Sequence, residues 1–352
     1  MLTMLAKKIF PILFRTLLLV VFLVQVSCSP DINSIPPQHL KNGLQATTLP
    51  FSTSLHTTSF HANIVYGDDA RNGYDFFKPN QKEPSSLLIM VHGGGFVNGD
   101  KSKYYDSYSY RGFINRLLEK NIAVATINYR FVDPLEDKGI LNSLHDVKRA
   151  LQHMRFYADS LHFNKKKVML YGSSAGSAAA MWIGFGDDRA IETSKDLIER
   201  ESTRIQGLVG ISTQANYDIA EWHKTVFSSF QKEGFTAESL EELIKEYRIL
   251  LYYGIQNKAD LASEATKLYL QQTDMLRMLS KDDPAFYLQT DQFSGAVPTN
   301  MSEVFHHPLH VKTIQQQAEK VGVEGMYNAP QINLDTTEGE TYEAFIIRTI
   351  GN

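Results

Sequence analysis

The chain is 352 residues long, enough for one large α/β domain or two small ones. Its 35 lysines and arginines against 39 aspartates and glutamates leave a formal net charge of −4, with no basic stripe interleaved with aromatics. That balance gives no electrostatic basis for binding nucleic acid, while a hydrophobic content of 43% is enough for a substantial core.

The first residues read MLTMLAKKIFPILFRTLLLVVFLVQVSCSP, with a basic Lys7–Lys8 pair and a charge-free run from Leu17 to Val26. Residues 1–28 thus have the pattern of an export signal. The apolar run is short for a membrane span, and Pro11 and Arg15 lie near its start. Cys28 is the single cysteine, so no disulfide can form within the chain. Placed after VQVS and before SPDINSIPP, it resembles a bacterial lipoprotein cleavage site, with the small Ser27 before it and Gln25 where a leucine is usual. The resemblance implies lipidation at Cys28 and an exported chain attached to a bacterial membrane through its N-terminus. Several acyl chains make such an anchor stable. Ordinary signal cleavage would give a secreted product instead.

Residues 29–58 are rich in Pro, Ser, Thr and Asn without periodicity and read as a linker. Residues 59–352 read as the folded domain. FHANIVYG (60–67) alternates like a strand, and NGYDFFKP (72–79) is a partner for it. SLLIMVHGGG (86–95) and IAVATINYR (122–130) are short apolar runs suited to strands buried on both faces. Helical spacing marks 110–121 and 142–161. KKVMLYGSSAGSAAAMWIGF (166–185) reads strand, sharp turn, helix, and RIQGLVGIS (204–212) another strand. This alternation predicts a mostly parallel sheet with helices on both faces. After Asp218 it stops, and residues 219–281 read as a helical insertion. AFYLQ (285–289), a helix over 311–322 and a last strand over 323–330 follow.

Two glycine-rich motifs carry chemistry. GSSAG (172–176) sits between the apolar strand VMLY and the helix SAAAMWIGF, which is the arrangement of a nucleophile elbow. The turn excludes large side chains beside Ser174 and places its hydroxyl at a helix N-terminus. HGGGF (92–96) ends an earlier strand. Acyl transfer generates an oxyanion that backbone amides must meet, and consecutive glycines expose such amides. Gly94, Gly95 and Ala175 are the expected donors. A phosphate loop is excluded because no G-K-[ST] follows either cluster.

The order HGGGF, NYR, GSSAG resembles the α/β-hydrolase fold, specifically esterases related to hormone-sensitive lipase and the feruloyl- and acetyl-esterase-like proteins of bacteria. GSSAGSAAAMWIGFGDD, RESTRIQGLVGISTQANYD and FHHPLH also resemble a bacterial subgroup of carbohydrate esterases. The resemblance covers residues about 60 to 330. It implies the α/β-hydrolase fold, Ser174 as nucleophile, Gly94, Gly95 and Ala175 as oxyanion hole, esters as substrates, and no cofactor.

Ser174 needs a general base, and the family order is Ser, then Asp or Glu, then His. The family places that histidine after the last strand, but this chain has none beyond His310. The segment EVFHHPLH (303–310) is the alternative, in a loop following AFYLQ at the carboxyl edge of the sheet. His307 is the first candidate, stiffened by Pro308, then His306, then His310. A zinc reading of His307 and His310 fails because no Glu or second pair completes a ligand set.

Asp291 stands where the family puts its acid, and Asp218 is the other carboxylate at a strand end. Asp282 and Asp283 read as loop residues. His92, Asp146 and Arg130 read as scaffold.

The sequence thus predicts an exported serine carboxylic-ester hydrolase acting on small-molecule or glycan esters. Two rival readings are a protein of this fold that binds without catalysis, suggested by the missing late histidine, and a serine peptidase of the same fold.

Overall fold

The computed structural model describes residues 44–55 and 57–351. The expected signal peptide with Cys28, and the expected linker as far as residue 43, lie outside the described residues.

The sheet starts with the antiparallel pair β1 (Thr58–Val65) and β2 (Gly73–Pro79). Next come β3 (Ser85–Val91), the short helix α1 (Lys103–Asp106), α2 (Tyr108–Glu119) and β4 (Ile122–Ile127). The long α3 (Leu141–Phe156) and the single turn α4 (Ala158–Leu161) lead to β5 (Phe163–Ser173). From β5 the chain turns sharply into α5 (Ala175–Gly184) and then β6 (Gly207–Ile211).

Nine strands form one sheet in the order β1-β2-β4-β3-β5-β6-β7-β8-β9. The later strands are β7 (Phe286–Gln289), β8 (Gly325–Ala329) and β9 (Leu334–Asp335). Six central strands are parallel, as expected, and the pairings β1–β2, β2–β4 and β8–β9 are antiparallel. β3 and β4 are buried at every residue. This is why they read as unbroken apolar runs: helices cover both faces of a parallel sheet.

Between β6 and β7 the chain is helical: α6 (Trp222–Thr225), α7 (Ala237–Ile244), α8 (Glu246–Tyr253), α9 (Glu264–Thr273) and α10 (Met275–Met278). The segment after β7, expected to be loop, instead holds α11 (Met301–His306). α12 (Leu309–Val321) follows, and α13 (Tyr342–Ile350) ends the fold.

The core has two halves. Val147, Met181, Leu240 and Ile314 pack on one side of the sheet, and Phe113, Leu117, Phe345 and Ile346 on the other. Part of the expected linker belongs to the second half. Leu49, Phe51 and Leu55 pack against it, Thr47 pairs with Phe60, and the Phe51 ring lies 5.5 Å from that of Phe77. Residues 44–55 lack the free tether's independence because these apolar side chains find a sheet face to cover.

The register places the site. β3 has β4 on one side and β5 on the other, so the loops leaving β3 and β5 diverge at a switch in strand order, where open α/β sheets bind ligands. Val91 pairs with Gly172, so HGGGF and GSSAG leave the same sheet edge side by side.

Candidate active site

Ser174 joins β5 to α5 with φ 54° and ψ −122°, a conformation that side-chain-bearing residues rarely adopt. The turn is held by the Ser174 amide donating to the Ile211 carbonyl at 2.8 Å and by α5, buried along its whole length. The flanking glycines are required by contact. A Cβ at Gly172 would lie 2.2 Å from the Gly176 carbonyl oxygen, and one at Gly176 only 2.0 Å from that of Val91.

The HGGGF loop folds over this elbow, and a Cβ on Gly93 would lie 2.7 Å from the Ser173 carbonyl oxygen. Gly94 and Gly95 both have positive φ, 112° and 59°. Among the described residues the amides of Gly94, Gly95 and Ala175 donate to no protein acceptor. The Ala175 amide is free for the usual reason at a helix start. These three unpaired donors are the ones expected for an oxyanion hole.

His92 holds the loop, as the sequence suggested. Its Nδ1 bonds the Gly93 carbonyl at 2.7 Å, its ring stacks on Tyr129 with centroids 4.4 Å apart, and the Tyr129 hydroxyl donates to the His92 carbonyl at 2.7 Å. Burial pushes His92 down to about 4, leaving it neutral near pH 7. Arg71 braces the same loop through the Tyr129 and Gly99 carbonyls at 2.8 and 3.0 Å.

The three late histidines part ways. His306, the last residue of α11, brings Nε2 to 2.7 Å from the Ser174 hydroxyl oxygen. The expectation of His307 as first candidate is therefore corrected. Before Pro308 its backbone is extended (φ −63°, ψ 137°), which leaves the helix and turns the ring away. The His307 Nε2 meets the Ala296 carbonyl at 2.9 Å, its Nδ1 accepts from the Leu309 amide at 3.1 Å, and its ring packs between Phe227 and Phe230. His310 is fully buried. Its Nδ1 accepts from the Ala215 amide at 3.1 Å and its Nε2 meets the Val304 carbonyl at 2.9 Å, against Trp222. These two rings bolt the α11–α12 corner to the helical insertion, so His306 is the one of the three that reaches Ser174.

The other side of His306 faces Ser302, one helical turn back, with the hydroxyl 3.4 Å from Nδ1. Burial lowers the pKa of His306 below 6.5, the Ser302 carbonyl opposes this, and the Lys103 charge adds to it. No carboxylate bonds His306 among the described residues. Asp291, the expected acid, is exposed, and its carboxylate accepts from the Gln289 side chain at 2.7 Å. Asp218 accepts from the Tyr253 hydroxyl and is pushed upward by burial. Asp146 is clamped by Arg130 and Asn72, each at 2.7 Å, and Asp282 and Asp283 face Arg204. All four serve the scaffold.

Ser174 and His306 open onto a cavity of about 390 Å³, within the usual range for small-molecule sites. Gln214 donates to the Phe305 carbonyl at 2.7 Å and so fixes the end of α11 beside His306. Phe293 lies 5.0 Å from the His306 ring. The sequence reading missed Ser302, Gln214, Phe293, Lys103, Arg248 and Tyr252, which all line the cavity. A signal for α11 was present: Asn300 caps the Glu303 amide with its side chain, and Pro308 ends the run. Read as a helix, the segment puts Ser302 and His306 on one face.

A family model described as BD-FAE matches residues 74–309, from β2 to the first residue of α12, and so spans the whole site. The chain belongs to the BD-FAE family. Gut esterase 1 of Caenorhabditis elegans is 23% identical over 237 residues, covering 53% of this chain and 41% of that protein. A probable isoprenylcysteine alpha-carbonyl methylesterase of Oryza sativa subsp. japonica is 23% identical over 244 residues, covering 69% and 52%. The chain thus spans about half the length of these curated relatives.

Among solved structures, a truncated carbohydrate esterase from gut microbiota superposes with a TM-score of 0.54 at 16% identity, covering 79% of this BD-FAE chain and 90% of its own. A bifunctional GH43-CE protein of Bacteroides eggerthii gives 0.56 at 18%, covering 83% and 38%. The expected α/β-hydrolase fold is therefore present, and the relatives named here are esterases, as the sequence reading expected of a carboxylesterase-type hydrolase.

Proposed function

We propose that this BD-FAE protein is a serine carboxylic-ester hydrolase working through an acyl-enzyme on acyl or feruloyl esters of carbohydrates. The observation that carries this reading is the 2.7 Å approach of His306 Nε2 to the Ser174 hydroxyl at a positive-φ elbow. The three unpaired amides beside it add support, and so does the likeness to a carbohydrate esterase from gut microbiota.

The chemistry follows from the hydrogen bonds. With Nδ1–H directed at Ser302, Nε2 carries the lone pair and takes the Ser174 proton as the oxygen attacks the ester carbonyl. The carbonyl oxygen becomes an oxyanion facing the amides of Gly94, Gly95 and Ala175. His306 returns the proton to the departing alcohol, leaving Ser174 acylated. Water then attacks, giving its proton to His306, and the acid leaves as Ser174 recovers the proton. Ser302 takes the orienting place that a carboxylate holds in a triad.

A fluorophosphonate probe is expected to label Ser174, and short-chain 4-nitrophenyl esters to turn over with loss on Ser174→Ala. No labelling and no turnover of acetyl, butyryl and feruloyl esters would favour the binding-protein reading. Peptide turnover exceeding ester turnover would favour the peptidase.

The base must be neutral to act. Because burial and Lys103 hold His306 below its ordinary 6.5, the acid limb of kcat/KM against pH is expected below pH 6.5. Activity falls as pH drops through the His306 pKa and is level above it. A limb centred above 6.5 would contradict this placement.

The reading also includes export and lipid attachment at Cys28, supported by the sequence pattern of residues 1–28. An alkyne fatty acid fed to expressing bacteria is expected to label the protein, and Cys28→Ser to abolish the label. Labelling that survives Cys28→Ser would reject Cys28 as the site.

A further inference from the structure

The catalytic cavity has a charge pattern that ester hydrolysis alone does not require. Two basic side chains line it, Lys103 of α1 and Arg248 of α8, while no aspartate or glutamate does so. The chain as a whole is net acidic at −4, so the pattern runs against its composition. Neither cation forms an ion pair among the described residues. Arg248 is further marked. Its Nε is buried with no hydrogen-bond partner. A Cβ at Gly95 would lie 3.6 Å from its Nη1, which puts the guanidinium beside the oxyanion glycines. A guanidinium that lines a cavity and has no protein acceptor among the described residues is open to one from a ligand. The planar fork of arginine matches a carboxylate. The rest of the lining fits a polar organic ester: Asn98, Gln214 and Gln292 offer amides, and Phe293 and Phe305 flat apolar faces.

We infer that the cavity selects esters that carry a carboxylate elsewhere in the molecule, with Arg248 and Lys103 as its receptors. The inference rests on the proposed esterase function and names its substrate class. The carboxylate sits either on the alcohol side, as in an acylated uronic acid, or on the acyl side, as in the half-ester of a dicarboxylic acid. Both sources present the same anion to the same cations. Arg248 and Lys103 act by binding and orientation, while bond making and breaking stay with Ser174 and His306.

The test uses two isosteric pairs. On the alcohol side, 4-carboxyphenyl acetate is compared with 4-carbamoylphenyl acetate. On the acyl side, mono-4-nitrophenyl adipate is compared with the corresponding 5-carbamoylpentanoate ester. The readout is the ratio of kcat/KM, anionic over neutral, within each pair. One pair is expected to give a ratio of at least about tenfold, the scale of one charged hydrogen bond, and that pair identifies the side. Arg248→Gln and Lys103→Gln are each expected to lower that ratio by about tenfold, whatever they do to the neutral ester. Raising ionic strength should shrink it. Ratios at or below one in both pairs would overturn the inference. So would an equal loss on both members of a pair in the variants, which would make the cations partners of the oxyanion itself.

Binding to Ser174→Ala by calorimetry separates the two readings. Tighter binding of the anionic member without turnover in the unsubstituted protein would sink the esterase function and keep the anion site. Equal binding of both members would sink the anion site even with esters turned over.

Discussion

Replacing His306 by alanine is expected to lower kcat for a short-chain ester by about 10⁴-fold with little change in melting temperature. The magnitude is at the upper end of the ~10²–10⁴ contributed by a general base and below the ~10⁶ lost when a triad histidine is removed. The figure follows from Ser302, whose neutral hydroxyl stands beside the ring in place of a carboxylate. The oxyanion amides survive the change and account for the residual rate. His307→Ala should lose far less kcat, because its ring bonds Ala296 and Leu309 instead of Ser174. Stopped-flow hydrolysis of a 4-nitrophenyl ester by His306→Ala, His307→Ala and His310→Ala ranks the histidines directly. Full activity in His306→Ala would place the base elsewhere. The exposed Asp291 supplies a control: Asp291→Asn is expected to leave kcat largely unchanged, since its carboxylate bonds Gln289 and not His306.

Replacing His310 by alanine is expected to cost about 3 kcal/mol of stability, with ester turnover per folded molecule largely kept. The ring is fully buried against Trp222 and Phe227. Its removal opens a cavity and leaves the Ala215 amide and Val304 carbonyl without their partner. Urea unfolding of variant and parent measures the loss, and equal midpoints would refute it. A pH signature accompanies it. Burial pushes His310 down to about 3, so between its unfolded value near 6.5 and that figure the unfolded chain binds a proton that the folded chain does not. Stability from this group is complete above about pH 6.5 and drains away as pH falls towards 3. The His310→Ala protein should lose less stability than its parent over that interval.

Much of the fold was legible because its signals are local. Buried parallel strands such as SSLLIMV and IAVATI announce themselves as apolar runs, and alternation with helices implies their parallel packing. Ser174 was legible for the same reason. The elbow is a strand, a sharp turn at Ser174 and a helix in unbroken sequence, and sterics at Gly172 and Gly176 force small residues there. The glycines of HGGGF were equally readable, since unpaired amides at positive φ need them.

The partners of Ser174 were not local. His306 is 132 residues away, and its neighbours His307 and His310 have the same chemistry and nearly the same position in sequence. What separates them is the last turn of α11 and the pre-proline residue after it, which set where each ring points, together with Phe227, Trp222 and Ala296, which occupy the other two. Asp291 was placed by analogy of strand order, yet its side chain turns to Gln289 at the surface.

The sequence by itself thus determined the sheet, the elbow that carries Ser174 and the glycine loop beside it, because each depends on contacts within a few residues. Only the tertiary structure decided which histidine reaches the Ser174 hydroxyl, that Ser302 stands behind it, and that Lys103 and Arg248 line one cavity. Those choices depend on the packing of α1, α8 and α11 around one sheet edge, which no short stretch of chain encodes.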